Sequence, residues 1–197
     1  MIRVAIVGAA GTGKDTLARL LSTELIRYSP LKGKLCKVRQ IQEFSVLWVD
    51  KTGGTKEVFE QAFIFNEQRR WDHDYDTRKK DQYTIIIGAA PASLAYFYAL
   101  AFVDIKNYKH RLLLVNLYEK AISEFLMHDE IFYLPIEFEV PAGDRLRNPS
   151  TRIFIDRALH SMLMSHKIPF TKIDGSENKR TDTAFQIIKK RLTEKTN

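Results

Sequence analysis

Nine consecutive residues, Gly8-Ala9-Ala10-Gly11-Thr12-Gly13-Lys14-Asp15-Thr16, carry the strongest chemical signal in the chain. Three glycines let backbone N–H groups turn inward around an anion, a helix opening at the lysine adds its positive end, and Lys14 supplies a mobile charge for the β and γ phosphates of a nucleotide. The apolar run Ile2 to Val7 precedes the loop, and Leu17, Leu20, Leu21 and Leu25 follow it at helical spacing, so the setting such a loop needs is present. Gly8, Gly11, Thr12, Gly13, Lys14, Asp15 and Thr16 are therefore the candidate cofactor-binding residues, and ATP is the expected cofactor. The position after the lysine, normally a Ser or Thr bonded to Mg²⁺, is Asp15, with Thr16 one residue later. Both are candidate Mg²⁺ ligands.

Phosphoryl transfer needs positioning and charge neutralisation more than covalent chemistry. Arg145, Arg147 and Arg152 fall within eight residues, after a predicted strand and into a helix start. A forked guanidinium grips phosphate oxygens in two places, so this stretch is read as a lid rather than a solvated basic turn. Arg145 is assigned to the cofactor, and Arg147 and Arg152 join Lys14 as candidate catalytic groups. A base for a hydroxyl proton belongs at the C-terminal edge of the sheet, where Glu43 follows the second strand. On position alone it is equally a surface glutamate. Asp72, His73, Asp74 and Asp76 have the composition of a metal cluster, but the polar surroundings favour a solvated helix end.

Alternating strands and helices must position these groups. The pattern predicts strands at Ile2–Val7, Val38–Ile41, Tyr83–Ile87, Glu130–Ile136 and Pro169–Ile173. Helices are predicted after Lys14, over Val58 to about Arg70, over Ala92–Phe102 and over Leu112–Phe125. Asn148-Pro149 caps a further one, and a last helix starts near Thr181 or Asp182. A turn is expected over Gly88–Ala90. Strands that read as continuous apolar runs imply a mostly parallel sheet covered on both faces.

The 197 residues hold 31 Lys or Arg against 24 Asp or Glu, a net charge of +7, with 45% apolar residues and one cysteine. A single domain over residues 1–197 is expected, and collagen-like, largely disordered and disulfide-stapled classes are excluded. The uncharged stretch Gln82–Val103 is 22 residues long, but Gly88, Pro91 and Ser93 interrupt it and acidic flanks argue against a membrane span. The chain start does not read as a secretory signal, so a cytoplasmic protein is expected. The basic run Arg27–Arg39 lacks interleaved aromatics of the kind that stack on bases, so DNA is a partner not favoured.

The GKDT form of the loop resembles those of bacteriophage deoxynucleoside monophosphate kinases, and GK-x-T resembles adenylate kinases. With Glu43, the Phe59–Gln68 helix, Leu94-Ala95-Tyr96 and Asp144-Arg145-Leu146-Arg147 followed by Arg152, nearly the whole chain resembles the NadR-type ribosylnicotinamide kinase domain and related AAA-type P-loop kinases. The resemblance implies an α/β three-layer P-loop NTPase fold with a five-stranded sheet in the order 2-3-1-4-5 and an arginine-containing lid. It also implies ATP with Mg²⁺ and a nucleoside or nucleotide acceptor. Gly8, Gly13, Lys14 and Thr16 then hold ATP, Glu43 faces the acceptor, and Asp144, Arg147 and Arg152 belong to the lid. Such kinases usually end the third strand with an acid, where this chain has Gly88. Either Glu43 and Asp15 take over its duties, or catalysis is weak or lost, and Gly88→Asp is expected to raise activity if the site has lost the acid and merely tolerates the loss. The favoured reading is a small-molecule kinase. Its rivals are a kinase acting on a hydroxymethylated base in DNA and a nucleotide-binding module without turnover.

Overall fold

Ile2 to Val7 has apolar side chains on both faces and goes to the centre of the sheet as β1 (Ile2–Val7), almost wholly buried. It pairs in parallel with β3 (Ile85–Ala89) on one side and β4 (Glu130–Tyr133) on the other. β2 (Val38–Ile41) extends the sheet beyond β3, and β5 (Thr171–Lys172) extends it beyond β4. The order β2-β3-β1-β4-β5, parallel throughout, is the expected one. The computed structural model describes residues 1–28, 37–53, 58–78, 85–89, 91–139 and 148–194.

Two helical layers cover the sheet. On one face, α1 (Lys14–Arg27) turns Leu17, Ala18, Leu21 and Leu25 onto Ile2, Val4 and Ile6 of β1 and Ile85 and Ile87 of β3. α7 (Glu177–Glu194) adds Ala184, Ile188 and Leu192 to the same cluster. On the other face, α4 (Ser93–Leu100), α5 (Tyr108–Leu126) and α6 (Pro149–Ser165) pack on Ala5, Val7, Ile131 and Tyr133. α2 (Phe44–Thr52) and α3 (Val58–Arg78) complete that side, with Val58 and Phe65 against Ala95 and Ala99 of α4. The long uncharged stretch is shared between β3 and α4, and among the described residues no helix is long and apolar enough to cross a membrane.

Several boundaries differ from those read in the sequence. β3 continues through Gly88 and Ala89, where a turn was expected, because both still pair with β1. α5 starts at Tyr108 instead of Leu112, since the Asn107 side chain accepts the Lys109 N–H and caps an exposed first turn. α7 starts at Glu177, four residues early, through a polar turn that apolar periodicity cannot mark. β4 and β5 are shorter than predicted, and α2 was not predicted at all. α3 runs on to Arg78, so Asp72 and His73 lie within the helix rather than at a solvated end.

Leu21 is fully buried between α1 and the sheet. Leu21→Ala is expected to cost about 2–5 kcal/mol in urea unfolding. A loss under about 1 kcal/mol would show that this layer does not carry the fold.

Candidate functional site

The loop between β1 and α1 is shaped by two close constraints. A Cβ on Gly8 would stand 2.5 Å from the Leu134 carbonyl oxygen, so only glycine lets the loop leave β1 beside the end of β4. Gly13 adopts φ 89°, a left-handed conformation that L side chains resist, and from it α1 begins at Lys14. Three of the carbonyl oxygens in between are tied by protein donors. Ala9 accepts Thr12 Oγ1 at 3.0 Å and Lys14 Nζ at 3.2 Å. Ala10 accepts Arg152 Nε at 2.8 Å, and Thr12 accepts an Arg180 guanidinium nitrogen at 2.7 Å. With these three oxygens committed, the loop has N–H groups to offer a ligand, which suits an anion.

Lys14 is only 6% exposed and lies against Tyr98 of α4, Glu43 and Asp15. Burial opposes its charge, but the Tyr98 phenol, in hydrogen-bonding contact, and the two carboxylates outweigh burial and raise its pKa above the ordinary lysine value. Loss of water pushes the Glu43 carboxyl up, against the pull of Lys14 and of the Ser45 hydroxyl that donates to it. Two clefts meet here. One, of about 510 Å³, is lined by Asp15, Thr16, Arg19, Gln40, Glu43 and Leu47. The other, of about 200 Å³, is lined by Gly11, Gly13, Thr16, Phe138, Arg180 and Thr181. Thr16 lines both. A carboxylate and a hydroxyl at the start of a helix, Asp15 and Thr16, are hard oxygen donors of the kind Mg²⁺ takes, and both line the larger cleft.

The structure thus brings Gly11, Gly13, Lys14, Asp15, Thr16 and Glu43 to one junction, with Gly8 at its base. Thr12 is fully buried with its hydroxyl turned back onto Ala9, so any contact it makes with a ligand is through its backbone. Arg152 is not a free lid arginine: it is 4% exposed and also donates to the Phe138 carbonyl at 3.1 Å, which ties α6 to the loop. Asp144, Arg145 and Arg147 lie outside the described residues, as do the side chains of Asp74 and Asp76. Gly88 lies inside β3, between Ala5 and Ile41. It lines a cavity of about 20 Å³ with Arg3, Asp72, Glu124 and His128, and a Cβ there would meet nothing nearer than the Val4 carbonyl oxygen at 3.9 Å. A side chain at 88 would stand beside that cavity, within β3 rather than at its end, where the expected family acid belongs.

Asp72 and His73 are likewise corrected. Burial pushes the Asp72 carboxyl up to about 6, against hydrogen bonds from Gln68 and the Ala92 N–H, with Glu124 adding to the rise. Glu124, on α5, is nearly sealed from water and takes Arg69 Nε at 2.6 Å and His73 Nε2 at 3.1 Å. Sequence reasoning missed Arg180 and Tyr98. Arg180 is 3% exposed, reaches Glu137 Oε2 at 2.8 Å as well as the Thr12 carbonyl, and lies 4.9 Å over the Phe138 ring. The Glu-Asn-Lys-Arg run that carries it reads as solvated, and its partners are 168 and 43 residues away. Tyr98 sits in an apolar helix where nothing marks it.

Arg180→Met keeps the stem and removes both hydrogen-bonded contacts. It is expected to cost about 2–3 kcal/mol in urea unfolding, the scale for bonds to a buried charge. A loss below about 0.5 kcal/mol would contradict the clip between α7 and the loop.

A family model described as an AAA domain matches residues 3–180. None of the curated proteins matches the sequence. Among solved structures, a NadR protein in complex with NAD and AMP-PNP is similar over 95% of this chain and 48% of its own, at 15% identity and a TM-score of 0.71. This chain therefore spans about half the length of that protein. Thymidylate kinase from Candida albicans is similar over 98% of this chain and 92% of its own, at 16% identity and a TM-score of 0.68. Deoxyadenosine kinase from M. mycoides, with dCMP and dCDP bound, is similar over 95% and 98%, at 12% identity and 0.64. At such identities the likeness is one of fold, the three-layer α/β fold of P-loop kinases, and the match over residues 3–180 makes the chain a member of the AAA domain family.

Proposed function

We propose that the chain, as one domain over residues 1–197, is a kinase that moves the γ-phosphate of ATP to a small nucleoside or nucleotide. The observation that carries this reading is the junction itself: Thr16 lines two clefts, with Lys14 and Glu43 beside it. A transferase of two nucleotides needs a donor on one side of the γ-phosphate and an acceptor on the other. The smaller cleft, walled by Phe138, Arg180 and Thr181, is assigned to the adenosine end of ATP. The larger, ending at Glu43, is assigned to the acceptor.

The roles follow from chemistry. Loop N–H groups hold the phosphates, and Lys14, displaced from the Ala9 carbonyl, meets the β and γ oxygens. Asp15 and Thr16 would hold the Mg²⁺ that accompanies ATP, and its charge would offset that of the phosphate oxygens. Glu43 accepts the proton of the acceptor hydroxyl as its oxygen bonds to the γ-phosphorus and the bond to the β–γ bridging oxygen breaks, leaving ADP. For a phosphate acceptor already ionised, Glu43 orients instead of deprotonating. Arg145 and Arg147 are assigned to the lid on sequence grounds, and Arg152 supports the loop from below.

Glu43→Gln is expected to keep ATP affinity and lose roughly 10² in single-turnover rate, the scale of a positioned base, whereas Lys14→Ala loses ATP binding as well. Because burial holds the Glu43 carboxyl above its ordinary 4.5, kcat/KM rises with pH through a value above 4.5 as the base ionises. A Glu43→Gln protein as fast as wild type leaves nucleotide binding without this chemistry.

A further inference from the structure

α3 presents a polar stripe to the protein interior, and its hydrogen bonds converge on the backbone around Glu43. Gln68, 3% exposed, accepts the Phe44 N–H on Oε1 at 2.6 Å. Its Nε2 donates to the Gln42 carbonyl at 3.2 Å and to Asp72 Oδ1 at 3.0 Å. The other Asp72 oxygen accepts the Ala92 N–H at 3.2 Å. The residue enclosed between Gln42 and Phe44 is Glu43. Ala92 precedes α4, the helix that carries Tyr98 to Lys14.

The amide has one workable orientation. Turned over, it would aim Nε2 at the Phe44 N–H and Oε1 at a carbonyl and a carboxylate, three repulsive contacts in place of three bonds. The Asp72 carboxylate selects the correct orientation and in turn hangs on the start of α4. The end of β2 and the start of α4 are thereby fixed to one helix and to each other.

We propose that Gln68 and Asp72 are positioning residues for Glu43, holding the backbone on both sides of the base so that its carboxylate stays at the junction of the two clefts. The inference rests on Glu43 acting in the proposed reaction. Neither residue contacts the phosphate loop in this network, so loss of the clamp separates rate from ATP affinity.

The test is a double-mutant cycle on single-turnover rate with ATP and an active nucleoside acceptor, with ATP affinity measured alongside. Gln68→Leu is expected to slow transfer by roughly tenfold or more with ATP affinity within about twofold of wild type. In the Glu43→Gln background the same substitution is expected to cost under about threefold, because the group it positions is already gone. Asp72→Asn, which keeps shape and one acceptor, is expected to lose less than Gln68→Leu. An equal loss in both backgrounds, or ATP affinity falling in step with rate, overturns the proposal.

If wild type transfers phosphate to no nucleoside or nucleotide, the proposed reaction fails first, and the clamp is then read by tryptophan emission. The chain has two tryptophans, Trp48 and Trp71, with rings 6.3 and 5.1 Å from that of Phe44. Both Gln68→Leu and Asp72→Asn are expected to shift their emission. Unchanged emission in both variants removes the clamp whatever the chemistry.

Discussion

The Ala9, Ala10 and Thr12 carbonyl oxygens are held by donors that come from four parts of the fold: Thr12 within the turn, Lys14 from α1, Arg152 from α6 and Arg180 from α7. A tight glycine turn has many accessible shapes, and each left to itself would present oxygens as readily as N–H groups. Committing the oxygens to the protein makes the turn selective for anions before any ligand arrives. It also explains why Arg152 and Arg180 are almost wholly buried, since the carbonyl oxygens and the Glu137 carboxylate they bond offset part of the cost of desolvating them. Arg180 shares its charge with Glu137, whose carboxylate also accepts the Gly175 N–H at 2.9 Å. The loop is thus an integral part of the packing of α6 and α7.

Much of this was legible in the sequence, and the boundary between what was and what was not is physical. Contiguous signals survived: the loop, the five apolar strands and the helical leucines of α1 each depend on neighbours in the chain. The parallel order 2-3-1-4-5 came with the resemblance those motifs carried. Long-range polar partners did not survive, since nothing in Glu-Asn-Lys-Arg says that Arg180 will reach Thr12. The same blindness turned Asp72 and His73 into a solvated helix end, because a charge read without its partner is assigned to water. Arg152 was found as a phosphate-class arginine yet misjudged in posture, since spacing locates a side chain along a helix but not the carbonyl it will meet.

On the acceptor side the design is different. Where the phosphate loop is fixed by charges, the wall opposite is fixed by neutral amides and one carboxylate, with Phe44, Trp48, Phe63 and Trp71 packed around them. Glu43 stands at the edge of the larger cleft, and loss of water raises its affinity for a proton. The cavity beside Gly88 in the third strand is lined by two carboxylates from other elements, Asp72 of α3 and Glu124 of α5.

The central claim, that donor and acceptor nucleotides meet head-on at Thr16, is tested most directly by titrating the protein with two adenosines joined through a five-phosphate chain and comparing the affinity with that for ATP. Occupation of both clefts by one molecule is expected to tighten binding by roughly 10² or more, the gain from linking two sites at a span the linker can bridge. Other nucleosides at the acceptor end extend the series to the preferred acceptor. Affinity no better than that of ATP across the series would contradict the account, and would leave the larger cleft without a nucleotide to hold.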